Sequence, residues 1–120
     1  MDKSSQNLKA DGGKTNPLLL EKGMTLALMC VNRTLDYGAI KYEAHSWMRV
    51  PDAIQRYDAA ARRHRQLRDT GQTHDDESGL PHLAHEIVCN LMVLELTIKQ
   101  GQGVDWFSFN EPPTDHKGTE

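Results

Sequence analysis

Two histidines and a glutamate near residue 85 have a spacing that would let one metal ion contact all three. On a helix, positions i, i+3 and i+4 lie on one side, so His82, His85 and Glu86 would project together. The partial positive charge at a helix N-terminus favours neutral imidazole, which is the form that binds metal. A well-capped helix without any ion would contain the same residues. The spacing indicates a metal site but leaves this second interpretation open.

Three acidic residues directly precede this group and bear on the kind of ion it would bind. Asp75, Asp76 and Glu77 offer carboxylate oxygens, which suit a hard ion such as Mg²⁺. The two histidines shift the preference toward Mn²⁺ or another transition metal. If a metal binds here, we therefore expect Mg²⁺ or Mn²⁺.

Five of the seven arginines lie within one stretch of thirteen residues. In helical projection Arg56 and Arg63 flank an apolar stripe that contains His64. Arginines in that position could bind phosphates through forked hydrogen bonds. Arg62 and Arg65 project to the outer face, where a solvated basic surface is the simpler interpretation. For His64, a hydrogen-bonded core histidine and a site residue remain equally open.

A segment between the first two predicted helices has the composition of a nucleotide site. Tyr42 and Trp47 could stack on a base, and Lys41 could contact a phosphate. Aromatic residues that only anchor a loop in the core would fit the same sequence. Composition alone leaves both interpretations open.

These residues must be positioned by helices, because apolar side chains recur at three- and four-residue intervals and no stretch alternates as a strand would. Capping and breaking residues set the expected ends of each helix. The predicted elements are a first helix over residues 18–37 stopped by Gly38, a loop or short helical turn over 39–50, a second helix from Pro51 to about Thr70-Gly71, and a third from Ser78 or Pro81 to about residue 100.

The third predicted helix is apolar almost all the way round. Beyond its main stripe it carries Val88, Met92, Val93 and Leu96. A helix of this kind is buried on more than one side, and three helices rarely enclose one of their own members. We therefore predict an all-α fold, a small bundle of about three main helices per chain that is completed by homodimerisation.

The composition is that of a single globular domain. The chain has 120 residues, of which 38% are hydrophobic, and a formal net charge of −3. Its polar ends predict a flexible arm over residues 1–16 and a flexible tail over 108–120, with the helical domain over 17–107. The charge argues against nucleic-acid binding, and no apolar run is long enough for a membrane span. We expect a cytoplasmic protein.

Several motifs together resemble a known family. The most specific is ESGLPHLAH at residues 77–85, followed by Asn90, and it is accompanied by Lys41-Tyr42, Trp47 and Arg63-His64. This set resembles the phage-borne family described as the dATP/dGTP diphosphohydrolase N-terminal domain, which is similar in style to the all-α MazG-type pyrophosphohydrolases. The chain does not contain the paired Glu-x-x-Glu and Glu-x-x-Asp motifs of MazG-type enzymes, so a metal site would use other ligands.

The resemblance implies hydrolysis of a purine (deoxy)nucleoside triphosphate to monophosphate and pyrophosphate, in phage nucleotide metabolism within the host cytoplasm. It implies Mg²⁺ or Mn²⁺ as the cofactor and a purine nucleotide as the ligand. The residues assigned to these roles are Glu77, His82 and His85 as catalytic residues, Glu77, His82, His85 and Glu86 as metal ligands, and Lys41, Tyr42, Trp47, Arg63, His64 and Asn90 as substrate contacts.

Two other classes of function fit the same residues. A protein with this site could bind a nucleotide without cleaving it, as a sensor or as a sponge for a nucleotide signal in phage–host conflict. Alternatively, the arginine-rich second helix could be an interaction surface, for which binding would fall steeply with salt. Dependence on a metal and on free nucleotide would separate these three classes.

Overall fold

A computed structural model describes residues 12–101, and within this range the chain is all-helical. The four α-helices are α1 (Pro17–Gly23), α2 (Thr25–Lys41), α3 (Ala53–Asp69) and α4 (His82–Lys99), with a 3₁₀ helix at Ser46–Arg49. An isolated bridge between His74 and Pro81 is the nearest approach to a strand in the described range. The all-α prediction is confirmed. The predicted tail, and the predicted arm before residue 12, lie outside the described residues.

The first predicted helix is two helices, so residues 12–101 contain four α-helices rather than the three predicted. The break lies at Met24, whose φ of −129° and ψ of 39° are not helical. Next to it the Thr25 hydroxyl donates to the Glu21 carbonyl at 2.8 Å, a bond that competes with the helical backbone pattern. Gly38 does not stop α2, because its carbonyl accepts the Tyr42 N–H at 2.9 Å and the helix runs on to Lys41.

The predicted starts of the other two long helices also need correction. α3 begins at Ala53 rather than Pro51, after Asp52 in a left-handed conformation with a φ of 54°. α4 begins only at His82. Ser78 does not cap α4, because the residue directly before the helix is Pro81 and the Ser78 hydroxyl accepts from the Leu80 N–H at 3.1 Å within the preceding loop.

Packing is centred on α4, which contacts both α3 and α2. Small residues allow the closest approach, since Ala61 of α3 and Ala84 of α4 are both buried. Val88 and Leu96 extend the buried face along α4, and Val31 contributes from α2. The start of α4 is therefore held firmly against α3, which matters for the site described below.

Much apolar surface is left uncovered in the single chain. α1 buries none of its residues. The exposed large apolar residues of α1, α2 and α4 include Leu18, Leu19, Leu20, Met24, Leu26, Met29, Ile40, Leu83, Ile87, Leu91 and Leu94. None of the helices in the described range is long and apolar enough to cross a membrane.

Candidate functional site

A large groove runs between the C-terminal half of α2, the 3₁₀ segment, α3 and α4. Its volume is about 1130 Å³, which is ample for a nucleotide. Aromatic and apolar side chains make up much of its lining. The charged and titratable side chains in it include Lys41, Arg56, Arg63, His64, Asp75, Glu77 and His85, and the aromatic ones include Tyr37, Tyr42, Trp47 and Tyr57.

Three side chains from different elements bring metal-binding atoms together at one end of this groove. They are His64 of α3, Asp75 of the loop and His82 at the start of α4, and we call them the donor group. Their donor atoms all lie within 4.8 Å of one another. His64 Nδ1 is 2.9 Å from His82 Nδ1. His64 and Asp75 line the groove, whereas His82 is completely buried behind it.

The buried His82 ring is oriented by a glutamine. His82 Nε2 lies 2.7 Å from Gln72 Oε1. The Gln72 amide nitrogen donates to the Asp76 carboxylate at 3.2 Å. Because that contact places the amide nitrogen toward Asp76, the amide oxygen accepts a hydrogen bond from the N–H at His82 Nε2. In the neutral ring, His82 Nδ1 then carries the lone pair that points toward His64.

His85 lies beside the donor group and lines the groove. Its ring stacks on that of His64 with centroids 4.5 Å apart and planes 7° from parallel, and its Nε2 lies 2.7 Å from the Ser78 hydroxyl. Burial lowers the pKa of His85, although the negative charge of Asp75 opposes the shift. Burial, together with His85 and His82, also lowers the pKa of His64. Both rings are therefore neutral near pH 7, as ligands or proton acceptors must be.

Asp75 shapes the loop as well as the donor group. Partial burial would raise its pKa, but the hydrogen bonds from the backbone and side chain of Ser78 outweigh burial and lower it. The carboxylate therefore stays ionised. The Gly79 N–H donates to the Asp75 carbonyl at 2.8 Å, and the Gly79 backbone has a φ of 73°. This tight turn places the carboxylate next to the histidines.

Lys41 and Glu77 form an ion pair at the groove. The Lys41 ammonium also lies 5.1 Å from the Tyr42 ring centroid and 5.9 Å from that of Tyr37. The bond to Glu77 raises the pKa of Lys41. Bonds from Lys41 and then Tyr37 lower the pKa of Glu77. The Lys41 ammonium has three N–H donors, so a phosphate could share it with Glu77 or displace that carboxylate.

Glu86 and Asn90 lie on another side of α4, in a shallow depression that they share with Asp58, Arg62 and Arg65. Glu86 accepts a hydrogen bond from Arg68 at 3.0 Å and has a side chain only 15% exposed. Of the four metal ligands predicted from the sequence, only His82 is in the donor group. His85 is its neighbour, while Glu77 and Glu86 are bound to basic side chains.

The predicted substrate contacts divide between the two surfaces. Lys41, Tyr42, Trp47, Arg63 and His64 all line the groove, and Asn90 does not. The outer arginine Arg62 is partly neutralised by Asp58 at 3.1 Å.

The sequence does not single out two residues of this arrangement. Asp75 is one of three neighbouring carboxylates that could contribute to a metal site, and only its position in the loop, with the turn-forming residues Ser78 and Gly79 after it, distinguishes it from the others. Gln72 had no sequence signal, because its contact with His82 spans ten residues across a loop.

Comparison with known proteins identifies the family of the chain. No curated protein and no solved structure matches the chain. The sequence model of the family described as dATP/dGTP diphosphohydrolase, N-terminal, matches residues 4–105, which is most of the chain. The chain therefore belongs to the dATP/dGTP diphosphohydrolase N-terminal family.

Proposed function

We propose that the chain hydrolyses a purine deoxynucleoside triphosphate to the monophosphate and pyrophosphate with the help of a divalent cation. The observation that carries the proposal is the donor group, which opens onto a groove that also contains cationic and aromatic side chains. In this reaction a water oxygen bonds to the α-phosphorus. The bond from that phosphorus to the α,β-bridging oxygen breaks, and the oxygen leaves with pyrophosphate.

The residues at the end of the groove fit a divalent cation, for which the sequence predicts Mg²⁺ or Mn²⁺. His64, Asp75 and His82 would hold it, because two imidazole rings and a carboxylate converge there. A bound cation supplies Lewis acidity toward phosphate oxygens and lowers the pKa of a bound water. Glu86, also predicted from the sequence as a ligand, pairs with Arg68 and lies outside the groove, so we do not include it among the residues that would hold the ion.

The remaining groove residues suit the handling of a triphosphate. Arg63 and Lys41 would neutralise charge on the phosphates, with Lys41 exchanging its bond to Glu77 for a phosphate oxygen. His85, which lines the groove and has a lowered pKa, would accept the proton that the attacking water loses. Glu77, released from Lys41, would help to orient that water. Tyr42 and Trp47 would contact the base by stacking.

We also propose that the active form is a homodimer. The exposed apolar residues of α4 form a stripe at helical spacing, namely Leu83, Ile87, Leu91 and Leu94, and α1 and the first half of α2 are equally uncovered. Surfaces as apolar as this are rarely left in water. A second copy would cover both at once through a two-fold interface. The phage-borne character of the resembling family supports a setting in the cytoplasm of an infected host cell.

A substrate panel with matched variants tests the enzyme proposal. Purified protein is incubated with each common NTP and dNTP plus Mg²⁺ or Mn²⁺, and monophosphate and pyrophosphate are quantified. Asp75→Asn removes the charge but keeps an oxygen for the Ser78 N–H, so we expect turnover to fall about 100-fold or more. His74→Ala, outside the groove lining, should keep normal turnover.

The other outcomes of this experiment separate the alternatives. A nucleotide that raises the melting temperature but is not hydrolysed would contradict the enzyme proposal. It would favour a nucleotide-binding sensor or sponge. Absence of both effects would contradict any nucleotide function and favour an interaction surface on α3.

A further inference from the structure

We propose that the donor group is a selective site for one first-row transition-metal dication, bound through Nδ1 of His64, Nδ1 of His82 and the Asp75 carboxylate, and that Gln72 positions His82 for it. The inference deepens the proposed function and rests on it for the role of the metal in catalysis. Binding itself requires no nucleotide and can be measured alone.

The spacing of the two imidazole nitrogens is close to that of ligands on a shared ion. Nitrogen ligands about 2.1 Å from an ion lie about 3.4 Å apart in tetrahedral geometry. His64 Nδ1 and His82 Nδ1 are 2.9 Å apart, so a few tenths of an ångström of outward movement at each ring would admit the ion. His64 belongs to α3 and His82 to α4, and each is stiffened by its helix.

Gln72 determines which nitrogen of His82 faces the ion. Because Gln72 Oε1 accepts from His82 Nε2 at 2.7 Å, the lone pair of the neutral ring is on Nδ1. A histidine that binds metal commonly donates its other N–H to an oxygen in this way, which fixes the tautomer and the ring orientation. The Gln72 amide nitrogen in turn donates to the Asp76 carboxylate. The hydrogen bonds that orient His82 therefore include a residue that contacts neither histidine.

Without a metal, His64 Nδ1 must donate to His82 Nδ1, since two facing lone pairs would repel each other. With a metal, the proton of His64 moves to its Nε2 and both Nδ1 atoms bind the ion. A purely structural pair of histidines would also need an acceptor for the buried N–H of His82, but it would need no third donor. Asp75 supplies that third donor and one negative charge.

The donor types decide the class of metal. Mg²⁺ prefers oxygen ligands in near-ideal octahedral geometry and retains its waters, so two imidazoles are a poor match. Zn²⁺, Co²⁺ and Mn²⁺ accept imidazole and carboxylate together, with Mn²⁺ the weakest of the three. Because His64 and Asp75 line the groove and His82 is completely buried, the ion would be reached from the groove side.

Titration with the metal alone tests this inference. Full-length protein, stripped with a chelator, is titrated with Co²⁺ while its visible absorption is recorded, and Zn²⁺ or Mg²⁺ is then added as a competitor. We expect one Co²⁺ per chain, full displacement by equimolar Zn²⁺, and no displacement by a hundredfold excess of Mg²⁺.

Three variants distinguish a metal site from a structural hydrogen-bond network. Gln72→Ala should weaken Co²⁺ binding by about 10- to 100-fold, as expected for loss of a residue that orients a ligand. Asp75→Asn should weaken it at least as much while the helical circular dichroism is retained. His74→Ala should bind as wild type does. The fully buried His82 is left unchanged, because its replacement could prevent folding.

No Co²⁺ binding by the folded wild-type protein would overturn the inference, as would unchanged affinity in both Gln72→Ala and Asp75→Asn. Equal competition by Mg²⁺ would overturn the proposed selectivity. Turnover with Mg²⁺ but no Co²⁺ site would contradict this inference and leave the proposed function standing. A Co²⁺ site without turnover would support this inference and contradict the proposed function.

Discussion

The ion pair between Lys41 and Glu77 is the contact most directly exposed to competition from a substrate. The Lys41 side chain is 35% exposed and that of Glu77 is 61% exposed, so water screens the pair and its contribution to stability is small. A triphosphate carries more negative charge than one carboxylate and would compete effectively for the ammonium. Lys41 therefore matters more for binding than for folding.

Lys41→Gln should weaken the binding of a nucleoside triphosphate. Loss of one charge-assisted contact to phosphate is expected to raise KM about tenfold, with little change in melting temperature. Steady-state kinetics and thermal unfolding measure the two effects. Lys22→Gln, on the last turn of α1, is the matched control and should alter neither. Equal KM values for the two variants would contradict the assignment of Lys41 as a phosphate contact.

The histidines of the groove should make stability depend on pH below neutrality. Burial holds the pKa of His64 and of His85 below their ordinary value, so the unfolded chain takes up protons first as the pH falls. The free energy of unfolding should therefore decrease as the pH drops through about 6.5 and level off once the folded protein is also protonated.

Urea unfolding of chelator-treated protein between pH 7.5 and 5 measures this dependence. His85→Gln should make the free energy of unfolding depend less steeply on pH in that interval, whereas His74→Gln should leave the slope unchanged. The carboxylates with lowered pKa, Asp75 and Glu77, act in a separate and more acidic interval. A curve for His85→Gln that overlays the wild type would contradict the assignment.

At the scale of elements, the loop between α3 and α4 decides whether the donor group assembles. The Asp75 N–H donates to the Leu80 carbonyl at 2.8 Å and the His82 N–H to the Thr73 carbonyl at 2.9 Å. These bonds close the loop on itself and fix Asp75 against the start of α4. Gly79 permits the turn, because its φ of 73° is strained for other residues.

Gly79→Ala should destabilise the protein, whereas Gly38→Ala should stabilise it. A left-handed alanine costs about 1–2 kcal/mol, while alanine within a helix gains about 0.5–1 kcal/mol over glycine. Both positions have free space where the new Cβ would lie, so the backbone conformation decides the sign. Urea unfolding compares the two variants, and a shift of the same sign in both would refute the argument.

The sequence was informative about helices and less so about the loop, for a physical reason. Helical periodicity repeats over many residues, so the long helices and the common side of His82 and His85 could be predicted. The loop depends on a few hydrogen bonds between residues several positions apart, and those left no periodic pattern. The pairing of Glu86 with Arg68 likewise depends on how α3 packs against α4, which spacing within α4 could not indicate.

At the scale of the whole molecule, the uncovered apolar faces make a prediction about assembly. In light scattering coupled to gel filtration the wild type should have twice the chain mass. Ile87→Glu, in the exposed stripe on α4 and outside the groove lining, should shift it toward the monomer because a carboxylate would be buried at the interface. Gln55→Glu, exposed on α3, adds the same charge elsewhere and should remain dimeric. A monomeric wild type would contradict the dimer.

The central claim is that water attacks the α-phosphorus of a purine triphosphate in the groove. Its most direct test is to run the reaction with dGTP and dATP in ¹⁸O-water with Mn²⁺ or Mg²⁺ and to analyse the products by mass spectrometry. The account predicts one ¹⁸O atom in the monophosphate and unlabelled pyrophosphate. Label in pyrophosphate or in released orthophosphate, or no turnover of either nucleotide, would contradict it.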